Sequence, residues 1–599
     1  MADFQNPQQE PGMERRLLIV FALTFLVIML FQPLLKKYGP QPPAKPPTSQ
    51  AAQNQPQNQP QLPPETPAPM PASPTAAVKS PASAPQQAAT ESETVIENDV
   101  YRIVFTNRGG RVKSWVLKKY TDDKGGQLEL VNATAALNYG YPLTLWTYDE
   151  TLRNKVNSAL YIGTLPGDPT VDVGSMQLGS KYTAPAKISF AYSDGDVSVR
   201  KTYSFDASYV VGVQTAVEVK GVPVAALPMW PSGFGADMTG PQYALGQIVY
   251  QYDDKVERLA IKKISGNGTL QGPFNWAGVS DQYFAAVFLP QDPKNAAMVT
   301  LRNALEIPHP GSDTKQMDKI DVLGAAVGSL KGATDTRLYV GPKALADLEA
   351  VPVPGITGAE PDLRAVVDFG WLGLIARPLF LWLKWMYAHI VPNWGWAILL
   401  QTLVINLALL PLRLTQMKSM LKMQRVAPQI KAIQEKYKKY SLRDPRKAEM
   451  NQEISALYKQ EGVNPAGGCL PLLIQMPFLF AYYRMLNVAM DLRHAPWLWI
   501  HDLSAPDPWH ILPVAIIVTM LVMQRMTPQA GMDPAQQKMM NIMMPGMLGL
   551  MSWNLPAGLG LYWSAGQLIG IVQQSVMNRT SLGREMREMM EKRARKKEK

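Results

Sequence analysis

Gln401, Thr402 and Asn406 interrupt an otherwise apolar, uncharged run from Trp394 to Leu412, and Thr402, Asn406, Leu409 and Arg413 follow at spacings of four, three and four. That spacing lines them up as one helical stripe. Two further apolar runs carry polar groups. Gln475, Tyr482, Tyr483 and Arg484 lie between Ala466 and Leu486, and Tyr562, Ser564, Gln567, Gln573 and Gln574 between Gly558 and Met577. Amides and hydroxyls make or break no bond by themselves, but they hold water and polar chain where hydrocarbon would not. Any one of them suits hydrogen bonding between helices. The set, spread over three runs, points to an enclosed hydrophilic groove. Gly467-Gly468, Pro471 and Pro477 predict a kinked helix along one wall of it.

Other chemistry finds less support. No phosphate loop, G-x-S-x-G or H-E-x-x-H occurs, so no catalytic residues are expected. The apolar runs lack Asp, Glu or His near their centres, which disfavours a proton or cation relay. The single cysteine, Cys469, rules out an intrachain disulfide and a cysteine-based metal site. His494, His501 and His510 share a segment with Asp491, Asp502 and Asp507, but their spacing fits no metal pattern, and Trp497, Trp499 and Trp509 between them suit a loop seated at a membrane surface. His309, between Pro308 and Pro310, reads as a surface residue. Ten methionines between 520 and 551 are either apolar filler or a surface that accepts varied apolar partners.

The elements that must position these residues follow from composition. Residues 1–16 precede an uncharged run, Leu17 to Leu35, flanked by Arg15-Arg16 and Lys36-Lys37; with no small-x-small site after it, an uncleaved anchor over 17–37 is expected. Residues 38–94 read as a disordered tether, with fifteen prolines in 39–94. From 95 to 350 the pattern turns to period two, as in Val197-x-Val199, Tyr203-x-Phe205, Val211-x-Val213 and Val217-x-Val219, punctuated by Ser193-Asp194-Gly195 and Asn107-Arg108-Gly109-Gly110; a large antiparallel β sandwich is expected. In the connector 351–393, Arg377 and Lys384 sit seven apart, opposite Leu379, Trp382 and Trp385, which predicts a helix lying in the membrane interface rather than a span. Spans are expected over 394–412, 464–490, 509–526, 539–553 and 558–577. Between the first two, residues 413–463 form a helical hairpin turned at Ser441–Pro445.

The formal net charge of +11 is not spread in the manner of a DNA-binding protein. Residues 416–461 carry 11 Lys/Arg against 5 Asp/Glu, and the tail 579–599 carries 9 against 4, both beside apolar runs. That is the positive-inside signature, and it also suits anionic lipid headgroups or ribosomal RNA. Parity then places both termini, the hairpin, the loop 527–538 and the tail 578–599 in the cytoplasm, with the β domain and the loop 491–508 outside.

NPAGGCLPLLIQMPFLFAYY after a basic hairpin, then LRHAPWLWIHDLSAPDPWHILP, then NLPAGLGLYWSAGQLIGIVQQ resemble the YidC membrane-insertase family. The anchor, tether and large outer domain make the chain similar to the Gram-negative type. The resemblance implies an α + β membrane protein of the bacterial inner membrane: a periplasmic β-supersandwich and a five-helix transmembrane core with a groove open to cytoplasm and lipid. It implies no enzyme and no cofactor, but a protein that inserts nascent membrane proteins, alone or beside the Sec translocon; the basic hairpin and tail add membrane lipids as expected partners and the ribosome as a candidate one. It also implies that Thr402 and Tyr562-Trp563 face the incoming segment, so the expected groove residues are Gln401, Thr402, Asn406, Arg413, Gln475, Tyr562, Trp563 and Gln567. Family members carry an arginine shortly before a Pro-Leu pair in the first core span; here VINLALLPL puts Asn406 there, and Arg413, two turns on along the same face, is the candidate replacement. A lipid or small-molecule transporter using the same groove, and a glycan-processing enzyme in the β domain, are the rival readings.

Overall fold

The computed structural model describes residues 85–164, 180–235, 246–308 except 254 and 265, 317–356, 362–440, 444–463, 470–526, 539–580 and 584. The anchor 17–37, most of the tether, the loop 527–538 and nearly all of the tail lie outside the described residues.

A β-rich domain is followed by a helical region. The period-two runs became strands for the expected reason. Val197–Phe205 buries alternate side chains, with Val197, Val199, Tyr203 and Phe205 all inward, and pairs antiparallel with Val210–Val219. Both belong to a ten-stranded sheet in which an interior strand, Phe284–Pro290, is buried at all seven positions because both its faces are covered. A second sheet runs from Thr269–Gln271 through Ala296–Pro308, Met317–Ser329 and Leu227–Trp230 to Leu145–Trp146; a third carries Arg111–Thr121 and Tyr101–Thr106. Among the described residues the strand pairing is antiparallel with one exception: Glu93–Glu97 runs parallel to Ser180–Thr183. Trp115, Trp230 and Trp276 are fully buried in the core, the first two edge-on at 6.0 Å. Sheet pairing includes residues before 95. Gln86 bridges Ser193 and the amide of Ala88 donates to Leu160, so these residues extend the sheets rather than the tether. Gly109, at φ +71, turns a corner where a Cβ would meet the carbonyl of Asn157 at 2.6 Å. Two short helices, α1 (Ala133–Tyr139) and α2 (Glu150–Ser158), cap this end of the domain, and α3 (Leu345–Glu349) closes it. Asn132 and Asp149 cap α1 and α2 through their side chains.

The helical region comprises α4 (Gly373–His389), α5 (Trp394–Ala408), α6 (Leu410–Lys436), α7 (Arg446–Gln460), α8 (Leu470–Val488), α9 (Ile511–Met526), α10 (Met544–Met551) and α11 (Ala557–Arg579). Among the described residues no single helix is long and apolar enough to cross a membrane; α4 and α5, bent by 120° at their junction, meet that standard only as a pair. Proline explains part of this. The run expected over 394–412 breaks at Leu409, just before Pro411, and α6 then continues straight into the hairpin. The run over 539–553 is divided into a π-helical turn (Met539–Met543), α10 and a 3₁₀ turn (Ser552–Asn554). Pro477 lies inside α8, which continues past it.

In the hairpin, α6 and α7 meet around Val426, Ile430 and Val463, and Lys436 and Tyr437 both bond Glu453 at 2.8 Å. The apolar surface is concentrated on the helices: Leu568, Val572 and Val576 form an exposed stripe on α11, and Met543, Met547, Leu550 and Met551 are exposed around α10.

Candidate functional site: a polar cavity among the helices

Three helices converge on one glycine. A Cβ on Gly566 of α11 would lie 3.8 Å from Asn406 Nδ2 and from Thr402 Cγ2 of α5, and 3.9 Å from Gln475 Nε2 of α8. One turn on, Gly570 opens the space that Arg413 occupies, its Nη1 2.8 Å from where a Cβ would sit. Small residues four apart on a helix let neighbouring backbones and long side chains approach. Into that space Arg413 sends its guanidinium back along the helix, and Nη2 donates to Asn406 Oδ1 at 3.0 Å. Gln573 donates to the Asn406 carbonyl at 3.2 Å, while its own side-chain oxygen, buried, has no partner among the described residues. The result is a narrow cavity of about 20 Å³, room for roughly one water, with Asn406, Arg413 and Gln475 on its polar side and Ile405, Leu409, Leu412, Phe478 and Tyr562 on its apolar side.

The remaining expected groove residues take other places. Gln401 is fully buried away from the cavity: it donates to the Leu379 carbonyl of α4 at 2.9 Å and accepts from the Tyr482 hydroxyl of α8. These two bonds join three helices and engage both the nitrogen and the oxygen of the amide. Thr402, also fully buried, turns its hydroxyl to Ile398 O at 2.7 Å. Tyr562 lines the cavity and stacks on Tyr482 at 4.1 Å. Trp563 is buried and Gln567 half-buried, and neither lines the cavity. Gly566 and Gly570 were not among the residues singled out from sequence; their spacing of four beside the polar Gln567 and Gln573 was the available signal.

Arg484 of α8 meets Asp368 of the connector at 2.9 Å, and Arg258 of the β domain donates to Ala365 O of the connector at 2.6 Å; within the β domain Lys343 donates to Asp281 O at 2.8 Å. Burial pushes the Lys343 ammonium down to about 8 and the Asp281 carboxyl up from its ordinary value. The three histidines between 494 and 510 diverge rather than cluster. His494 reaches Asp123 at 3.1 Å beside the Arg493–Asp123 pair, His510 stacks on Trp553 at 4.2 Å, and His501 is exposed. Trp497 meets Trp396 and Trp499, and Trp499 Nε1 donates to Asp507 at 3.0 Å.

Comparisons with known proteins cover both halves. A family described as the YidC periplasmic domain matches residues 93–382, and one described as the 60Kd inner membrane protein matches 385–584. The membrane protein insertase YidC of Cupriavidus necator is 35% identical over 463 residues, spanning 74% of this chain and 77% of that protein. That of Geobacter sp. is 32% identical over 497 residues, spanning 82% and 86%. A crystal structure of an active YidC insertase with its first transmembrane domain resolved aligns over 83% of this chain and 95% of its own, at 20% identity and a TM-score of 0.35.

Proposed function

The chain belongs to the YidC family of bacterial inner-membrane insertases, and from that premise we propose that the cavity around Arg413, Asn406 and Gln475 is where a nascent membrane protein's hydrophilic segment first leaves water. Membrane protein insertion is the function; what is proposed is how this chain performs it.

A hydrophilic tail entering hydrocarbon loses hydration, at several kcal/mol for each buried charge. Polar groups at the cavity shorten the dry path, and the apolar segment then slides over the exposed apolar faces of α10 and α11 into lipid, its own burial driving the step. No bond is made or broken, so the work is not enzymatic. The observation that carries this reading is the Arg413–Asn406 hydrogen bond beside open space. Arg413 uses one donor on Asn406 and has no carboxylate partner among the described residues, which leaves further donors for an acidic segment. Arg413 so placed takes the role left open by Asn406. Gln401 and Thr402 act by holding α5 against its neighbours, and Tyr562 and Trp563 by presenting an aromatic surface.

We place both termini and the hairpin in the cytoplasm, by the parity of the apolar runs and the basic balance of 416–461. In this arrangement α4, turned 120° from α5, lies along the outer interface, and the hairpin and basic tail serve ribosome or lipid headgroup contact, with insertion alone or beside the Sec translocon. The test is insertion of substrates with acidic translocated tails into vesicles bearing Arg413→Ala, with photocrosslinkers at Gln475 and, as a lipid-facing control, at Leu568. Crosslinks from Gln475 but not Leu568 to the tail, with slowed acidic tails, support the reading; unimpaired acidic tails sink the role of Arg413.

A further inference from the structure

A cleft of about 1180 Å³, open to solvent, lies at the C-terminal end of α8. Three parts of the chain wall it. The β domain gives the turn after strand Arg111–Thr121 together with Tyr283, α8 gives Tyr483 and Asn487, and the segment 493–506 closes the far side.

The walls are fixed to each other. Arg493, its side chain only 5% exposed, donates from Nη2 to Asp123 at 2.9 Å and from Nη1 to the Thr121 carbonyl at 3.3 Å. Its guanidinium also lies 5.5 Å from the Tyr283 ring. His494 meets both Asp123 Oδ1 and Thr121 Oγ1 at 3.1 Å. A buried guanidinium committed to one turn by two donors and a ring face leaves the walls little play. The cleft is therefore a standing feature of the fold, not a gap between loose loops.

Its size and lining narrow the occupant. Small-molecule sites are mostly apolar spaces of roughly 300–1,000 Å³ that enclose their ligand, and this cleft is larger and open. Among the described residues no Leu, Ile, Val, Met or Phe lines it, so it offers no pocket to a lipid tail. Both charge signs are present, Asp122 and Asp502 beside His501 and the pinned Arg493, which suits a hydrated chain of varied sequence.

The helix leading there points the same way. Phe480, Tyr483 and Asn487 follow at spacings of three and four and share one face of α8. Phe480 and Tyr483 are exposed and Asn487 half-buried, so that face turns from apolar to polar as it enters the cleft. Gln475, which lines the cavity among the helices, precedes Tyr483 and Asn487 on the same helix by about 12 and 18 Å at 1.5 Å per residue. About five residues of extended chain cover the longer distance. A hydrophilic segment that leaves the cavity along α8 meets this cleft next.

We propose that the cleft is an exit vestibule, which holds the translocated hydrophilic segment of a nascent membrane protein after it passes the cavity. This rests on the insertion reading above, with the segment 491–508 outside. Photocrosslinkers at Gln475, Asn487 and His501 of the full-length protein in vesicles test it, with Leu137 on α1 as an exposed control away from the cleft. Substrate chains stalled at increasing length are expected to crosslink through their tails to Gln475 first, then to Asn487 and His501, and never to Leu137. A second arm uses His501→Cys in a Cys469→Ser background, labelled with a bulky maleimide. It is expected to slow substrates that carry a translocated tail by about threefold, the scale of one ordered side chain, and to spare substrates without such a tail. Leu137→Cys labelled in the same way should slow neither. Crosslinks from Gln475 with none from Asn487 or His501 at any length, crosslinks from those two positions to lipid alone, or a label that does not distinguish the two substrate sets overturns the vestibule and leaves the cavity reading standing. Silence from Gln475 as well overturns both.

Discussion

The two halves of this protein each bury a cation without a carboxylate, and they do so to opposite ends. Lys201 in the β domain is sealed at 0% exposure and saturated by backbone carbonyls fixed on three sides. Arg413 in the helical region keeps one hydrogen bond, to Asn406, and faces a cavity. A cation solvated by fixed backbone dipoles holds a fold together and has nothing left to offer. One solvated in part, beside open space, can still exchange its partners. Burial alone therefore says little about role; the number of donors left over says more.

The largest expected effect tests the sealed side. Lys201→Ala removes the partner of two buried carbonyls and leaves a cavity, at a cost on the order of 3 kcal/mol to the β domain. Hydrogen exchange of strand Val197–Phe205 in the full-length protein measures it, and unchanged protection would erase the contrast drawn here. Arg413→Ala attacks the open side and should leave thermal stability nearly unchanged while slowing insertion of acidic tails by about tenfold. A matched loss for neutral tails would make Arg413 structural, like Lys201.

Gly570→Ala sharpens the comparison without removing a charge. The added Cβ lies 2.8 Å from both Arg413 Nη1 and Met523 Cε, so the guanidinium must shift, and acidic-tail insertion is expected to fall by about threefold. Reconstituted insertion with acidic and neutral tails in parallel reads that difference. A separate effect, on stability rather than insertion, comes with pH through Lys343. Its folded pKa, about 8, is below that of a free lysine, so below pH 8 both folded and unfolded states are charged and the burial cost is fully present. As pH rises above 8 the folded state loses its proton before the unfolded state does, and the β domain gains about 1 kcal/mol per pH unit until the free lysine titrates. Denaturant unfolding at pH 7.5 and 9 measures the gain, and Lys343→Met should abolish it.

Much of the architecture was legible before any coordinates. Inward Val197, Val199, Tyr203 and Phe205 announce their strand because a pleated chain sends every second side chain to one face. The stripe of Thr402, Asn406 and Arg413 likewise reads as one helical face. What could not be read was partner choice along that stripe. Gln401, one residue from Thr402, looked like a groove amide, yet its partners are Leu379 and Tyr482, separated from it by 22 and 81 positions. The breaks at Leu409 and within 539–553 were hidden for a related reason: hydropathy over a window registers apolar content and is blind to where a proline interrupts the backbone.

By itself, then, the sequence determined the alternation of strands, the apolar runs with their polar stripe, the basic blocks beside them and the family to which the chain belongs. Each of these depends on neighbours within a few residues along the backbone, where the periods of two and 3.6 are set by covalent geometry. Only the tertiary structure decided that Arg413 reaches Asn406 under Gly566 and Gly570 while Lys201 is sealed by carbonyls. It alone brought Asp123 to Arg493 and His494 beside one cleft. Most of those meetings join segments far apart in the chain, 92 and 58 residues for Lys201 with Gly109 and Leu143, and they depend on side-chain reach and close packing rather than on any local period.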